Sequence, residues 1–269
     1  MYGKSERLED YEHAAGTAQA MMTTLVSGTT RPFAPAARGR LFIAQAGAVQ
    51  FTIDGQLWVL GPGGGIWVPP EASGTFVARS RCRLVVVFIA STAKKRLLHE
   101  AKRVVVSPLL SALSHALAEA PQGRQDARSK RIARLLVGDV HYLPVKAIEL
   151  PLPCLPRLKQ LCIRMREDPG AALPAAAAAR EMGVSQRTFG RRFEREAGMS
   201  YAAWSRSAKI LHALTQIAKG DSVYNASIAA GFSGASSFCS TFRRVAGMTP
   251  KEYFDSKGSL WDSDETMFG

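Results

Sequence analysis

The sequence is short of several things. It has no run of 18 apolar residues, so no transmembrane helix is expected. Its opening stretch, MYGKSERLEDYEH, mixes charges and lacks the apolar centre of a secretory signal. Only four cysteines occur (Cys82, Cys154, Cys162, Cys239), with no C-x-x-C and no zinc spacing. Reduced thiols in a cytoplasmic protein are the expectation, with a redox pair as the alternative. The five histidines (His13, His99, His115, His141, His212) are scattered. No G-x-S-x-G, P-loop or dinucleotide glycine motif stands between a strand and a helix, and Gly61–Gly65 lacks the lysine and following helix of a phosphate loop. No catalytic residue, metal or cofactor is therefore expected.

Acidic residues are also short, 22 against 35 Lys and Arg, for a formal net charge of +13. That balance favours a polyanionic partner, nucleic acid ahead of a membrane surface. Residues 154–257 carry 16 basic and 8 acidic side chains, residues 1–153 carry 19 and 11, and the acids of 258–269 have no base beside them. Charge alone thus marks neither half. With 269 residues, 46% of them hydrophobic, two domains with real cores are possible.

What the sequence does hold is a duplicated pattern. In Gly231–Pro250, GFSGASSFCSTFRRVAGMTP, Ala229 and Ala230 close a short helix and Gly231 suits the positive φ of its end. Ser233 is placed to cap the next helix, on which Phe238, Phe242 and Val245 form one apolar stripe. Gly247 ends that helix, and Thr249-Pro250 opens another. Displaced by 49 residues, Phe189 falls on Phe238, Phe193 on Phe242, Arg195 on Arg244, Gly198 on Gly247, Met199 on Met248 and Ser200 on Thr249. Two helix-turn-helix units are predicted. Between them Tyr201–Lys219 reads as one helix of about 30 Å, close to the ~34 Å of a B-DNA turn.

The pair, above all G-F-S-x-x-S-x-F-x-x-x-F-R-R-x-x-G-x-T-P, resembles the AraC family of bacterial transcription regulators. The resemblance covers about 155–255 and implies a double helix-turn-helix DNA-binding domain. More loosely, the rest resembles the branch with a cupin-like sensor domain, through GQLWVLGPGGGIWVP. Where metal cupins carry histidines this chain reads Phe33-Ala-Pro-Ala-Ala-Arg38 and Pro69-Pro-Glu-Ala-Ser-Gly74, so no metal site is expected.

In chain order, residues 1–30 read as a flexible segment. Strand signals follow at 41–44, 49–53, 57–60, 66–68, 76–77 and 84–90, with Asp54-Gly55 as a hairpin turn. Residues 31–149 are read as an antiparallel, cupin-like barrel with helices. Pro108–Ala120, with Leu109, Leu113 and Leu117, and Asp126–Tyr142, with Ile132, Leu135, Leu136 and Val140, are amphipathic helices that either cover the barrel or pair with a second copy. Residues 150–156 form a proline-rich linker. Residues 157–257 form the helical DNA-binding domain and 258–269 an acidic tail. The fold class is α+β, in two domains.

Outward positions on the first recognition helix are Gln186, Arg187, Gly190 and Arg191; Gln and Arg read base edges bidentately. By the resemblance, Arg187, Gly190 and Arg191 fall where family members touch bases. Arg192 and Arg195 meet phosphate or pair with Glu194 and Glu196. On the second helix the corresponding residues, Ala235, Ser236, Cys239 and Ser240, are small; with Ser237 and Arg243 they position the protein on phosphates more than they read sequence. Trp58 and Trp67 are read as barrel core or as walls of an effector pocket. Arg38, with Arg40 near it, is read as binding an anionic effector or as surface. The expected partners are double-stranded DNA, a small-molecule effector, a second copy through residues 108–142 and, for an activator, RNA polymerase. Two other classes remain: a charge-driven DNA binder without sequence preference and, behind it, a cupin-type enzyme.

Overall fold

The computed structural model describes residues 8–13, 16–92, 98–120, 126–168 and 173–254. The acidic tail read at 258–269 lies outside them. In chain order the elements are α1 (Glu9–Glu12), β1 (Ala18–Leu25), β2 (Thr30–Phe33), β3 (Arg38–Ala46), β4 (Val49–Ile53), β5 (Gln56–Leu60), β6 (Gly65–Val68), β7 (Gly74–Ala78), β8 (Cys82–Ala90), β9 (Lys102–Val105), α2 (Pro108–Glu119), α3 (Ala127–Gly138), β10 (His141–Tyr142) and β11 (Ile148–Glu149). Seven helices follow: α4 (Pro156–Glu167), α5 (Ala175–Glu181), α6 (Gln186–Ala197), α7 (Tyr201–Lys219), α8 (Val223–Ala229), α9 (Ala235–Ala246) and α10 (Pro250–Phe254). They form two compact units. One lies within 1–54, 60–145 and 251–269, the other within 55–59 and 146–250.

The first unit is built on a six-stranded antiparallel sheet ordered β1-β8-β3-β6-β9-β10, with β4, β7 and β2 side by side in a second sheet. It is an open two-sheet arrangement of cupin-like type, not a closed barrel. The alternation of β3 sends side chains to two cores. Leu41 and Ile43 join Trp67, Val85, Val87 and Ile89 in a cluster that also contains Leu110 and Leu117 of α2 and Ala133 and Leu136 of α3. Phe42, on the opposite face, packs with Phe51 and Phe76 at centroid distances of 5.0 and 5.5 Å. Asp54 and Gly55 both take positive φ, 47° and 81°, as a type I′ turn requires.

Residues 18–25, within the segment read as flexible, form a strand. β1 pairs along its whole length with β8, from Ala18↔Ile89 to Leu25↔Cys82. Ala18 and Ala20 lie in the core that includes α2 and α3, and Met21 is buried as well, so the strand lacks the alternation that marks a half-exposed one. β2, β9, β10 and β11 have no counterpart among the predicted strands. Of the predicted helix faces, Leu113, Leu117, Ile132, Leu136 and Val140 pack on the core as expected. Leu109 and Leu135 are exposed instead, and Leu110 and Val137 are buried. The second predicted helix ends at Gly138, because His141 and Tyr142 pair with Val105 and Val104.

In the second unit, residues 150–155 hold no helix or strand and Pro156 opens α4. The Trp204 indole donates to the Pro151 carbonyl at 2.8 Å. β5 and β11 pair through Ile148↔Leu57 and Glu149↔Gln56. α7 is the hub, touching α4, α6, α8 and α9.

Candidate nucleic-acid interface

Each helix-turn-helix is set by its own residues. In the first, α5 packs on α6, and Ala178 and Ala179 of α5 are buried. Gly183, at φ 68°, turns the chain. Ser185 then caps α6, its hydroxyl accepting from the Thr188 amide at 3.2 Å. Phe189 and Phe193 are buried against Tyr201, edge-on at 5.0 and 5.2 Å, and Phe193 meets Trp204. Tyr201 donates to the Leu173 carbonyl at 2.6 Å, and burial pushes its phenol up to about 12. Burial also pushes the Cys162 thiol, on α4, up to about 12. This is a dry, fixed base that turns the opposite face of α6 outward.

The second unit repeats the plan. Both recognition helices have 12 residues, and every boundary of α9 stands 49 after that of α6. The preceding helices and their turn glycines, Gly183 and Gly231, stand only 48 apart. The second turn thus holds one extra residue. That is why Ser233 does not cap α9: Gly234 takes the position, at φ 157°, with no side-chain cap. Phe232 packs on Phe238 at 5.5 Å. Phe238 and Phe242 are buried and Val245 is half-buried.

The predicted contact residues occupy the outer faces. Gln186, Arg187, Arg191, Arg192 and Arg195 are exposed and Gly190 half-buried. Arg187, Arg191, Arg192 and Arg195, with Thr188 and Glu194, line one shallow concavity of about 520 Å³. Arg195 lies 3.7 Å from Glu196, whose other oxygen accepts from the Leu155 amide at 3.3 Å. Among the described residues, no carboxylate stands within 4.0 Å of Arg187, Arg191 or Arg192. Three neighbouring cations on a helix surface, with only Glu194 beside them in the concavity and no direct ion pair among the described residues, suit a polyanion. On α9, Ser236, Ser240 and Arg243 are exposed, and Ala235 and Cys239 half-buried. Ser240 donates to the carbonyl of Ser237 at 3.1 Å, one turn back.

The residues read for an effector are all buried. Trp67 sits among the residues packed with α2 and α3 and donates to the Leu98 carbonyl at 2.8 Å. Arg38, three residues from Leu41 on β3, lies on the opposite face of the sheet. It is buried and donates to the carbonyls of Phe88 and Gly16. Trp58 is buried in the other unit, its indole nitrogen without a partner among the described residues. Arg40, read with Arg38 as binding an anionic effector or as surface, is buried against Glu12. Nothing in the stretch 1–30 signalled that partner. Among the described residues, no three His, Cys, Asp or Glu side chains gather within a metal ion's reach.

Two helix-turn-helix units joined by one 19-residue helix, with an arginine-lined recognition face, define a DNA-binding protein. A family model described as a helix-turn-helix domain matches residues 178–256. Over 225 residues the chain is 24% identical to the HTH-type transcriptional regulator NimR of Escherichia coli (strain K12), covering 83% of this chain and 82% of that protein. Residues 178–256 thus form the helix-turn-helix domain of a DNA-binding transcription regulator. Among solved structures it is similar to ToxT of Vibrio cholerae bound to an unsaturated fatty acid, at 10% identity, covering 90% of this chain and 96% of that one with a TM-score of 0.36. It is also similar to an AraC-type DNA-binding regulator from Chromobacterium violaceum, at 24% identity over 39% of this chain and 95% of that one, with a TM-score of 0.35. No described helix is long and apolar enough to cross a membrane.

Proposed function

We propose that residues 157–257 read an operator chiefly through the first recognition helix, with Arg187 and Arg191 on base edges and Gln186 beside them. Arg192 and Arg195 lie nearer phosphates. The second helix places the protein through Ser236, Ser240 and Arg243, with Ala235 and Cys239 filling the interface. The observation that carries this reading is the group of exposed arginines on α6, set against the small side chains of α9. Residues 31–149 form the sensor: a small molecule bound there biases DNA binding, and two copies associate through 108–142, where Leu109 and Leu135 stand exposed. If the protein activates, RNA polymerase is its further partner. The protein works in the cytoplasm and catalyses no reaction.

Fluorescence anisotropy on duplex from the gene's own upstream region, against shuffled duplex at about 150 mM salt, tests the DNA reading. A preference of about a thousandfold or more that collapses in Arg187→Ala/Arg191→Ala is the expected result. Equal binding to both duplexes, fading steeply with salt, would make the protein a charge-driven binder instead. A preference that survives the double substitution would move readout to another helix.

A further inference from the structure

The opening turn of the chain is attached to the sheet through a mixed pair of contacts. Arg40 and Phe88 are directly opposite each other in the β3–β8 register, so their side chains share one face. Two consecutive residues of α1 answer them. Tyr11, 1% exposed, stacks on Phe88 with ring centroids 5.2 Å apart and planes 15° off parallel. The Glu12 carboxylate is hydrogen-bonded to Nη2 of Arg40. Arg40 also donates from both Nη atoms to the Ala34 carbonyl at 3.2 Å and lies 5.6 Å over the Phe33 ring.

The pairing is incomplete in one respect. Arg40 Nε is buried and has no hydrogen-bond partner among the described residues. Nε and Nη2 form one edge of the guanidinium, the edge on which a free carboxylate sits with both oxygens. Glu12, tethered to the chain, uses Oε1 on Nη2 alone. A buried donor left unsatisfied is costly, so an untethered carboxylate that spans both nitrogens has something to gain over Glu12. Beside it, the face of Phe88 takes an aromatic ring. Opposite residues in an antiparallel pair have Cβ atoms about 5 Å apart, so ring and carboxylate belong one or two carbons from each other.

We propose that Arg40 and Phe88 form the ligand site of the sensor domain, that Tyr11 and Glu12 are its internal occupants, and that its ligands are small aromatic monocarboxylates. Ligand binding and release of α1 from the sheet are then one event. The proposal rests on the sensor reading above and adds the site and the ligand class.

The test uses the full chain and 4-hydroxyphenylacetate as probe, with isothermal titration calorimetry on wild type and on Tyr11→Ala/Glu12→Gln. Removing an internal competitor raises apparent affinity, and we expect the double variant to bind about tenfold tighter or better. The neutral alcohol 2-(4-hydroxyphenyl)ethanol and ringless acetate should not bind it. Adding Arg40→Lys, which keeps the charge but not the two-nitrogen edge, should abolish the gain; far-UV circular dichroism checks that each variant folds. A folded double variant that ignores the carboxylate overturns the site. A thermal-shift screen separates this failure from failure of the sensor itself. A compound that raises the melting temperature of wild type and Arg40→Lys alike upholds a sensor and overturns this site. No shift from any compound, in wild type or double variant, overturns both.

Discussion

The fully buried Arg103 guanidinium of β9 donates from Nη2 to the backbone carbonyl of Tyr253 at 2.7 Å and lies 4.5 Å from the centroid of the same residue's ring. One side chain thus grips α10 by its backbone and its ring. Gly64 makes room for the grip: a Cβ there would stand 2.9 Å from Arg103 Nη1 and 3.0 Å from the Gly61 carbonyl. Tyr253→Leu keeps the carbonyl and loses the ring, and a desolvated cation–π contact contributes about 2 kcal/mol. We expect Tyr253→Leu to lower stability by about that much, and Gly64→Ala by about 1–3 kcal/mol through crowding. Urea unfolding followed by far-UV circular dichroism measures both. A midpoint unmoved in both variants would mean that Arg103 is satisfied without Tyr253.

Acid should loosen the helical unit through His212. Burial pushes its pKa below the ordinary histidine value; Lys219 pushes the same way and Asp168 opposes. The unfolded chain then takes up the proton more readily than the folded one. Stability is full above the unfolded pKa of about 6.5 and declines as pH falls below it. His212 reaches Gln216 on the next turn of α7 at 3.2 Å. We expect the urea midpoint to fall between pH 7.5 and pH 5 in wild type and to fall less in His212→Gln. Equal declines would assign the acid sensitivity elsewhere.

How much of this could be read beforehand depended on how local the cause was. The duplication was legible because Phe189 and Phe193 recur as Phe238 and Phe242, and glycines close both helices: helical periodicity and αL caps are written within a few residues. The cap of α9 was not, because one residue inserted in the second turn moves the helix start from Ser233 to Gly234. β1 was missed for a different reason. Helices more than 80 residues downstream bury its outer face, and a strand covered on both faces loses the period of two. The outward group on α6 was legible from Phe189 and Phe193 by subtraction. The Tyr11–Glu12 contact with Phe88 and Arg40 was not, since a tyrosine and a glutamate in a charged stretch carry no pattern of their own.

The four thiols should separate by accessibility. Cys82 and Cys162 are buried, and burial pushes both thiols up, to about 12 for Cys162, so little thiolate is present near neutral pH. Cys154 is exposed, and Cys239 lies half-buried on α9. With a chromogenic disulfide reagent at pH 7.5 we expect Cys154 to react first and Cys82 and Cys162 only after unfolding. Cognate duplex should slow Cys239 and leave Cys154 unchanged. Cys239 labelling at the same rate with and without DNA would take that face of α9 out of the interface.

Gly190 gives the sharpest test of where α6 meets DNA. It lies inside the helix, three residues after Arg187 and next to Arg191, and a Cβ built on it finds nothing within 4 Å. In the free protein nothing requires a glycine there, and an interior helix glycine is about 1 kcal/mol less favourable than alanine. Gly190→Ala should therefore raise the stability of the free protein by about 0.5–1 kcal/mol. The compensating reason for glycine is then an outside surface brought close to the backbone. If that surface is the major groove, the added methyl meets it. We expect affinity for the cognate duplex to fall about tenfold, equivalent to about 1.4 kcal/mol, while the protein becomes more stable. Opposite signs in the two measurements cannot come from a folding defect. Higher stability with unchanged affinity would place Gly190 away from the DNA and rotate the reading face toward Gln186 and Arg187.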